Sequence, residues 1–350
     1  MNVIILGAGA VGCYLGGRLA ASGVRVTLVG RPRTIEPLAL SGLTITDLQG
    51  YKAHVSADLS ADSTAKHISV ASSLKLAWTH YFDDKKTNDE ATVILLCVKG
   101  GATLVAAQEI ADCCPAGTVV VSLQNGVDNV ARINSAAPRM QAIAGMVPYN
   151  VIMKSATHVH RATMGRLQIE QSAISAELVN MLNSAGLLAK VADDIRTVQW
   201  SKLLLNMNNP VNALSDLPLR DQLLNRDFRC VFAALQLEAL AAMRAAKIEP
   251  IQLAAVSPRV MPYLLQLPNW LFARIAKKML RMDANARSSM WDDVQHARPT
   301  EIDDMCGAVV RLASQVGTPA PCNAAMCKLI ATHTKGHRWT GPELRKALKI

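Results

Sequence analysis

A G-x-G-x-x-G pattern stands near the start of the chain, directly after an apolar run and at the opening of a helical pattern. It comprises Gly7, Ala8, Gly9, Ala10, Val11 and Gly12. In a strand-turn-helix unit the first glycine permits a tight turn, the second lets backbone approach a pyrophosphate, and the third lets the helix pack on the strand. Glycines also serve turns that bind nothing. Here the flanking strands, and a helix N-terminus that favours anions, predict a dinucleotide site.

Short β-branched runs alternate with helical patterns through the first half of the chain, which predicts a parallel sheet with crossover helices. The strand-like runs are Val3–Leu6, Val24–Val29, Thr92–Val98, Val119–Leu123, Ile143–Val147, Gly165–Glu170 and Leu187–Ala192. The polar stretch Asp58–Glu90 is interpreted as connecting surface. After about Asp194 the clearest patterns are long helical periodicities, at Arg196–Asn209, Asp227–Ala246, Ile275–Met282 and Asp303–Gln315. We therefore expect an α/β chain, with a Rossmann-like parallel-sheet domain over residues 1–194 and an all-helical domain over residues 195–350.

The end of the second predicted strand decides which dinucleotide the site favours. NAD and FAD sites carry an Asp or Glu there, which holds the ribose 2′-hydroxyl. This chain has VGRPR at residues 29–33, and a guanidinium can pair bidentately with a 2′-phosphate. Arg31 therefore favours NADP(H), and Arg33 is interpreted as a solvent-facing neighbour. Glu36, placed in a loop after Pro32, is the alternative ribose ligand.

Two further polar residues, Lys99 and Asn125, follow predicted strands. A lysine at a strand end often only extends its ammonium to solvent, and the Asn-Gly pair that Asn125 forms with Gly126 is often only a turn. Because both residues would stand at the carboxyl edge of the sheet, where this fold binds ligands, we interpret them as cofactor contacts.

In the helical half, Lys202, Asn206 and Asn209 fall at i, i+4 and i+7 and share one face of a predicted helix. Such a stripe is usually solvated, but asparagine is a poor helix former, and solvated faces favour Glu, Lys and Gln. The stripe therefore indicates a polar pocket. It could bind a carboxylate and a carbonyl while Lys202 gives a proton to a developing alkoxide.

A second polar cluster spans residues 288–303. Thr300 followed by Asp303 resembles the start of a helix, so capping explains part of the cluster. Glu301 is not needed for that cap and is therefore a candidate functional residue.

In order and spacing, these motifs resemble the ketopantoate reductases (2-dehydropantoate 2-reductases) nearly from end to end. The matching residues are the glycine pattern, Arg31, Val98-Lys99, Gln124-Asn125-Gly126, Trp200 to Asn206, Ser288 to Asp292 and Arg298 to Asp303. The resemblance implies a Rossmann domain followed by a helical domain. It also implies reduction of 2-dehydropantoate to pantoate with NADPH, on the route to pantothenate and coenzyme A.

Position within these motifs also implies roles. Lys202 is similar to the catalytic lysine of the family, Asn125 and Asn206 to cofactor or substrate ligands, and Ser289 and Glu301 to substrate contacts. Glu301 would also lie near the cofactor and influence Lys202. Hydride would pass from nicotinamide C4 to the substrate's C2 carbonyl, and Lys202 would protonate the resulting alkoxide.

The chain departs from the family pattern eight residues beyond the lysine, where Pro210 replaces a substrate-binding asparagine. Asn209 is the nearest substitute, but an offset of one residue turns a side chain by about 100° on a regular helix. Pro210 favours an early end to the helix, because the residue before a proline avoids helical geometry. The exact oxo acid therefore stays open.

Two rival functions remain. One is an NADP-dependent reductase of another 2-oxo or 3-oxo acid, as in the β-hydroxyacid dehydrogenases, which also use a lysine. The other is a non-catalytic NADP(H) sensor or partner-binding protein. Such a sensor would need the glycines and Arg31 but neither Lys202 nor Glu301, so the presence of both argues against it.

Charge and composition exclude other classes. The net charge is +10, but the basic residues are dispersed, which favours a solvated face over nucleic-acid binding. No run of about 18 apolar residues could span a bilayer, and no signal peptide is evident, so no membrane partner is expected. Scattered cysteines and histidines without metal-ligand spacing predict a reduced, cytoplasmic protein without a metal. The oligomeric state does not follow from the residues, and a homodimer is kept as an expectation.

Overall fold

The chain folds as two units, residues 1–195 and 196–350. This computed structural model describes residues 1–57, 67–82, 91–277, 279–281 and 283–350. Within those ranges, no helix is both long enough and apolar enough to cross a bilayer. The same ranges hold no group of three or more His, Cys, Asp or Glu side chains that could bind a metal ion.

The first unit is built on one sheet of twelve strands over its described residues. The strands are β1 (Asn2–Leu6), β2 (Val26–Val29), β3 (Leu43–Asp47), β4 (Lys52–Ala57), β5 (His67–Ala71), β6 (Thr92–Leu96), β7 (Val119–Ser122), β8 (Gln141–Met146), β9 (Val151–Ser155), β10 (His158–Arg161), β11 (Leu167–Ile169) and β12 (Ala189–Val191). The helices are α1 (Ala10–Ala21), α2 (Pro32–Ser41), α3 (Leu74–Phe82), α4 (Thr103–Cys113), α5 (Asn129–Ala136) and α6 (Ser175–Ser184), with a 3₁₀ turn at Gly100–Ala102.

Six neighbouring strands, in the order β5-β2-β1-β6-β7-β8, run parallel and form the centre of the sheet. This is the strand order of a dinucleotide-binding Rossmann sheet. Strand β1 lies at its middle and is buried on both faces, because Val3 and Ile5 face one core while Ile4 and Leu6 face the other. The predicted α/β class with a Rossmann-like parallel sheet is therefore confirmed.

Five strands that local patterns did not predict extend or complete the sheet: β3, β4, β5, β9 and β10. The interpretation of Asp58–Glu90 as connecting surface is wrong for residues 67–82, which form β5 and α3. Only Ile68 of β5 is fully buried, so this strand lacks the apolar run that marks a central strand, and its parallel pairing with β2 defines it. The rest of that stretch lies outside the described residues.

The second unit is helical, and its described residues contain no strand. Its helices are α7 (Ile195–Asn206, beginning at the unit boundary), α8 (Asn208–Ser215), α9 (Leu219–Leu224), α10 (Arg226–Ala245), α11 (Met261–Leu265), α12 (Asn269–Ile275), α13 (Ser289–Gln295), α14 (Ala308–Val316), α15 (Pro321–Thr332) and α16 (Gly341–Leu348), with a π-helical segment at Asp303–Gly307 that leads directly into α14. Helix α10 begins at a side-chain cap, where Asn225 accepts a hydrogen bond from the Asp227 amide at 2.9 Å.

The helix predicted over Ile275–Met282 is wrong in its position. Helix α12 ends at Ile275, and none of the described residues between Ala276 and Arg281 is helical. Four basic residues lie in or directly before the range 275–282, at positions 274, 277, 278 and 281. On a helix, that spacing would stack like charges on one face, which disfavours a continued helix.

Candidate active site

The glycine turn after β1 has three different geometries at its three glycines. Gly7 has a φ of +114°, and a Cβ there would lie 2.6 Å from the Val98 nitrogen, so only glycine fits. A Cβ on Gly12 would overlap the Gly7 carbonyl oxygen and lie 2.8 Å from Ile5 Cγ2. A Cβ on Gly9 would meet nothing within 4 Å. Gly7 and Gly12 are therefore required by the fold, whereas Gly9 faces open space at the N-terminus of α1.

Four of the predicted cofactor elements follow four adjacent parallel strands, in the order β2-β1-β6-β7. Arg31 is the residue before the first turn of α2, after β2, and the glycine turn follows β1. Lys99 lies after β6 as the residue before the 3₁₀ turn, and Asn125 lies after β7. Arg31 and Lys99 are exposed and Asn125 is half-buried. They thus share the carboxyl edge of the sheet, where ligands bind in this fold.

The predicted loop around Glu36 is wrong. Glu36 lies inside α2, because Pro32 occupies the first helical position, where its fixed φ favours a helix start. Its side chain is exposed, as is that of Arg33 on the same helix.

A buried polar network behind this edge was not predicted. The Gln124 amide nitrogen donates to the Val98 carbonyl at 3.0 Å and to the Thr103 hydroxyl at 2.8 Å. Thr103 in turn donates to Asn129 at 3.0 Å, and the Asn129 amide donates to the Asn125 carbonyl at 2.7 Å. The network connects the loops that carry Lys99 and Asn125. Its signal in the sequence was Gln124, a polar residue directly after a buried strand.

Replacing Gln124 by leucine should destabilise the protein by about 1–3 kcal/mol, because its partners are buried and would lose their hydrogen bonds. Chemical denaturation measures this change. Gln108→Leu is the matched control, since Gln108 is exposed on α4 and its side chain donates to Asp112 at 2.9 Å. Equal stabilities of the two variants would contradict a structural role for the network.

In the helical unit, Lys202 lies half-buried near the end of α7. Burial is the main influence on its ammonium group and lowers its pKa to about 8, while the negative charge of Glu301 raises the pKa in part. The helical unit therefore brings the predicted catalytic lysine and the predicted glutamate into electrostatic contact. A lysine with this pKa can give up a proton near neutral pH.

The predicted polar stripe is divided between two helices. Helix α7 ends at Asn206, and α8 begins at Asn208, so the expected early end of the helix is found. Asn209 is nevertheless helical, against the preference of a residue before proline. Pro210 is tolerated because it lies in the first turn of α8, where its missing N–H needs no partner. The Asn209 amide lies 4.0 Å from Met305 Sδ in the π-helical segment.

In the polar cluster at residues 288–303, the helix cap lies at a different residue from the predicted one. Ser288 is the residue that caps a helix, since its hydroxyl accepts from the Trp291 amide at 3.1 Å and donates to the Asn209 carbonyl at 3.2 Å. Ser289 is exposed at the first position of α13. The predicted Thr300–Asp303 cap is not formed, because helical geometry begins at Ile302 and Asp303 pairs instead with Arg311 at 2.9 Å.

Comparisons with known proteins identify the family of the chain. The family model described as ketopantoate reductase PanE/ApbA matches residues 3–173, and the model for the C-terminal part of the same proteins matches residues 194–334. The chain belongs to the ketopantoate reductase family. Family membership and the assignment to the oxidoreductases are therefore confirmed.

Among the relatives of this ketopantoate reductase family member, a 2-dehydropantoate 2-reductase of Pyrococcus horikoshii is 25% identical, over 94% of this chain and 96% of that protein. A 2-dehydropantoate 2-reductase of Mesorhizobium japonicum is 26% identical, over 94% of this chain and 97% of that protein. The solved ketopantoate reductase of Ralstonia eutropha superposes with a TM-score of 0.76 at 26% identity, covering 95% of this chain and 97% of that one.

D-mandelate dehydrogenase, solved with NADH and anilino(oxo)acetate, shares the fold with a TM-score of 0.71 at 19% identity and full coverage of both chains. The coarser cofactor prediction, a pyridine-nucleotide-dependent oxidoreductase, is confirmed. The choice of NADP(H) over NAD(H) stays a prediction.

Proposed function

We propose that this protein reduces 2-dehydropantoate to (R)-pantoate with NADPH, on the route to pantothenate and coenzyme A. The observation that carries the proposal is the Lys202–Glu301 pair, in which burial lowers the pKa of the lysine to about 8. A non-catalytic sensor has no need of a partly buried lysine with such a pKa. The likeness to curated 2-dehydropantoate 2-reductases over most of the chain supports the choice of substrate.

Within this proposal, residues 1–194 hold NADP(H) and residues 195–350 hold the substrate and the proton donor. The geometry of the glycine turn fits a dinucleotide, because the space over Gly9 is open where a pyrophosphate would approach the backbone. Arg31 would hold the 2′-phosphate. Lys99 and Asn125, at the ends of neighbouring strands, would contact the rest of the cofactor.

The residues of the helical unit perform the proton transfer. NADPH, when bound, supplies the hydride that reduces the C2 carbonyl. Lys202 then donates a proton from its ammonium to the alkoxide oxygen at C2, which leaves a neutral amine that solvent reprotonates. Glu301 accepts a hydrogen bond from the substrate hydroxyl and keeps the lysine charged. Asn206, Asn209 and Ser289 orient the substrate carboxylate, as donors of neutral hydrogen bonds.

The pH dependence follows from the direction of the lysine shift. Protonated Lys202 is the acid, so kcat/KM for reduction should fall as pH rises through about 8. Because Glu301 raises the pKa of Lys202, Glu301→Gln should move this alkaline limb to lower pH. Profiles of kcat/KM across about pH 6 to 10 measure the limb. Asp221→Asn is the matched control, since Asp221 is an exposed carboxylate on α9 of the same helical unit. An unmoved limb in Glu301→Gln would contradict the coupling.

Cofactor choice is tested by oxidation of NADPH and of NADH with 2-dehydropantoate as substrate. We expect NADPH to be preferred, and Arg31→Ala to reduce that preference by roughly 10- to 100-fold, the contribution of hydrogen bonds to a charged group. Arg33→Ala is the matched control, because Arg33 is also an exposed arginine, two residues further on. An equal effect of both substitutions would contradict a specific contact by Arg31.

One observation favours a second candidate, reduction of a different 2-oxo acid. Pro210 replaces the asparagine of the best-known family members, and Asn209 lies beside Met305. Turnover of a panel of 2-oxo and 3-oxo acids separates the candidates. If another acid is turned over faster than 2-dehydropantoate, that acid becomes the proposed substrate, and the proposed reaction, reduction of an oxo acid, is unchanged. Tight NADPH binding with no turnover of any acid would support the sensor.

A homodimer stays a prediction, which sedimentation would test.

A further inference from the structure

The segment of residues 250–282 in the helical unit combines exposed apolar side chains with charge of one sign. It contains no Asp or Glu and five Lys or Arg residues, by the printed sequence. Its exposed apolar side chains include Trp270, 71% exposed, Tyr263, 64% exposed, and Ile275, 56% exposed. Isolated exposed apolar residues are ordinary, but several on one short segment indicate a contact surface.

The inner side of the segment is firmly anchored, so the exposure is not the result of loose packing. Arg229 on α10 is fully buried and donates to the Leu265 carbonyl at 2.8 Å and to the Leu267 carbonyl at 2.6 Å. Its guanidinium also stacks on the buried Phe272 ring, 4.1 Å from the centroid. On α12, Trp270 is two residues from Phe272 and points about 200° away from it, so the ring is held outward.

The basic residues that follow these rings in the sequence share their segment with no Asp or Glu. Arg274, Lys277 and Arg281 are exposed, and no ion pair joins any of them to a carboxylate in the described part of the chain. Arg259, by contrast, pairs with Glu249. The outer surface of the segment, hereafter the 263–281 surface, is therefore apolar and cationic at once.

The positive charge of the 263–281 surface decides which partner it can bind. A second copy of the chain would meet the 263–281 surface with the same surface in a two-fold contact, and three cations on each side would repel with no carboxylate from either segment to pair them. An anionic bilayer complements the cations, and exposed Trp and Tyr rings favour the membrane interface because they are apolar with a polar edge.

We propose that the 263–281 surface docks this protein on anionic lipid bilayers. Trp270 and Tyr263 insert at the level of the headgroups, while Arg274, Lys277 and Arg281 contact lipid phosphates. The expectation of no membrane partner rested on the lack of a spanning segment, which surface docking does not require. The docking is independent of the proposed reductase reaction.

Co-sedimentation of the full chain with vesicles tests the proposal. One set contains phosphatidylcholine alone, and the other contains about 30% phosphatidylglycerol, at about 0.1 M salt. We expect binding to the anionic vesicles only. The triple variant Arg274→Gln/Lys277→Gln/Arg281→Gln should lose about 100-fold in partition coefficient, from roughly fivefold per cation near the surface. Trp270→Gln should lose about tenfold through lost apolar burial.

The matched control is Lys52→Gln/Lys154→Gln/Lys190→Gln, which removes the same charge from exposed positions of the first unit. An equal loss in this control would attribute binding to the net charge of +10 and overturn the proposal. Failure of the wild-type chain to bind anionic vesicles would also overturn it. A dimer in sedimentation that Trp270→Gln dissociates would assign the surface to self-association instead. Unchanged thermal unfolding of each variant confirms that it is folded.

Discussion

Lys202→Met is expected to lower kcat for NADPH oxidation with the oxo-acid substrate by about 10²- to 10⁴-fold, the usual contribution of a positioned acid. Methionine keeps much of the lysine's volume and has no proton to give. Because burial disfavours the charged lysine more than the charge of Glu301 favours it, the change should leave the stability of the fold unchanged or slightly higher. Steady-state absorbance at the NADPH band gives kcat, and thermal unfolding gives the stability.

Lys328→Met controls for the loss of a lysine from the helical unit, since Lys328 is exposed on α15. The affinity for NADPH, measured by titration of cofactor fluorescence, should be the same in both variants and in the wild type. Turnover of Lys202→Met within a few-fold of the wild type would remove Lys202 as the proton donor. A parallel loss of NADPH affinity would indicate a binding role instead.

The second large effect is expected from Gly9→Ala. The added methyl group meets no protein atom within 4 Å, and Gly9 has a φ of −83°, so the fold should be unaffected. If the pyrophosphate occupies that open space, the methyl group overpacks the complex and weakens NADPH binding by about 5- to 150-fold. Equilibrium titration measures the dissociation constant, and denaturation measures the free energy of unfolding.

Gly12→Ala provides the contrast. Its methyl group would overlap the Gly7 carbonyl oxygen, so this variant should lose stability as well as binding. The two variants therefore separate a glycine kept for the ligand from a glycine kept for the fold. Unaltered NADPH affinity in Gly9→Ala would place the pyrophosphate elsewhere and remove the main support for the cofactor assignment.

Local patterns predicted the parts of the fold that are locally determined. The apolar run of β1 and the glycines after it form one strand-turn-helix unit, which residues close in sequence define. Strands such as β5 and β10 are stabilised by pairing with distant strands, and Val159 of β10 is paired with Ile45 of β3. No local pattern reports such pairing, because half-exposed strand residues resemble surface residues.

The same distinction applies to the candidate site. Lys202 and Glu301 were predicted from residue type and from resemblance to a family. The Gln124 network and the three carbonyl contacts of Arg229 were not, since a buried polar side chain is recognisable only once its partners are known. The ionisation of Lys202 likewise depends on burial and on a carboxylate 99 positions away in the chain.

The π-helical segment at Asp303–Gly307 makes the position of Glu301 sensitive to chain length. A π-helical turn contains about one residue more than an α-helical turn, and it is stabilised here by the Asp303–Arg311 pair at 2.9 Å. Deleting a single residue from this turn would restore regular helix. The residues before the turn, Glu301 among them, would then rotate by about 100° and move by about 1.5 Å along the axis of α14. A one-codon deletion, far from the lysine in the gene, would thus be enough to withdraw the carboxylate that keeps the lysine charged.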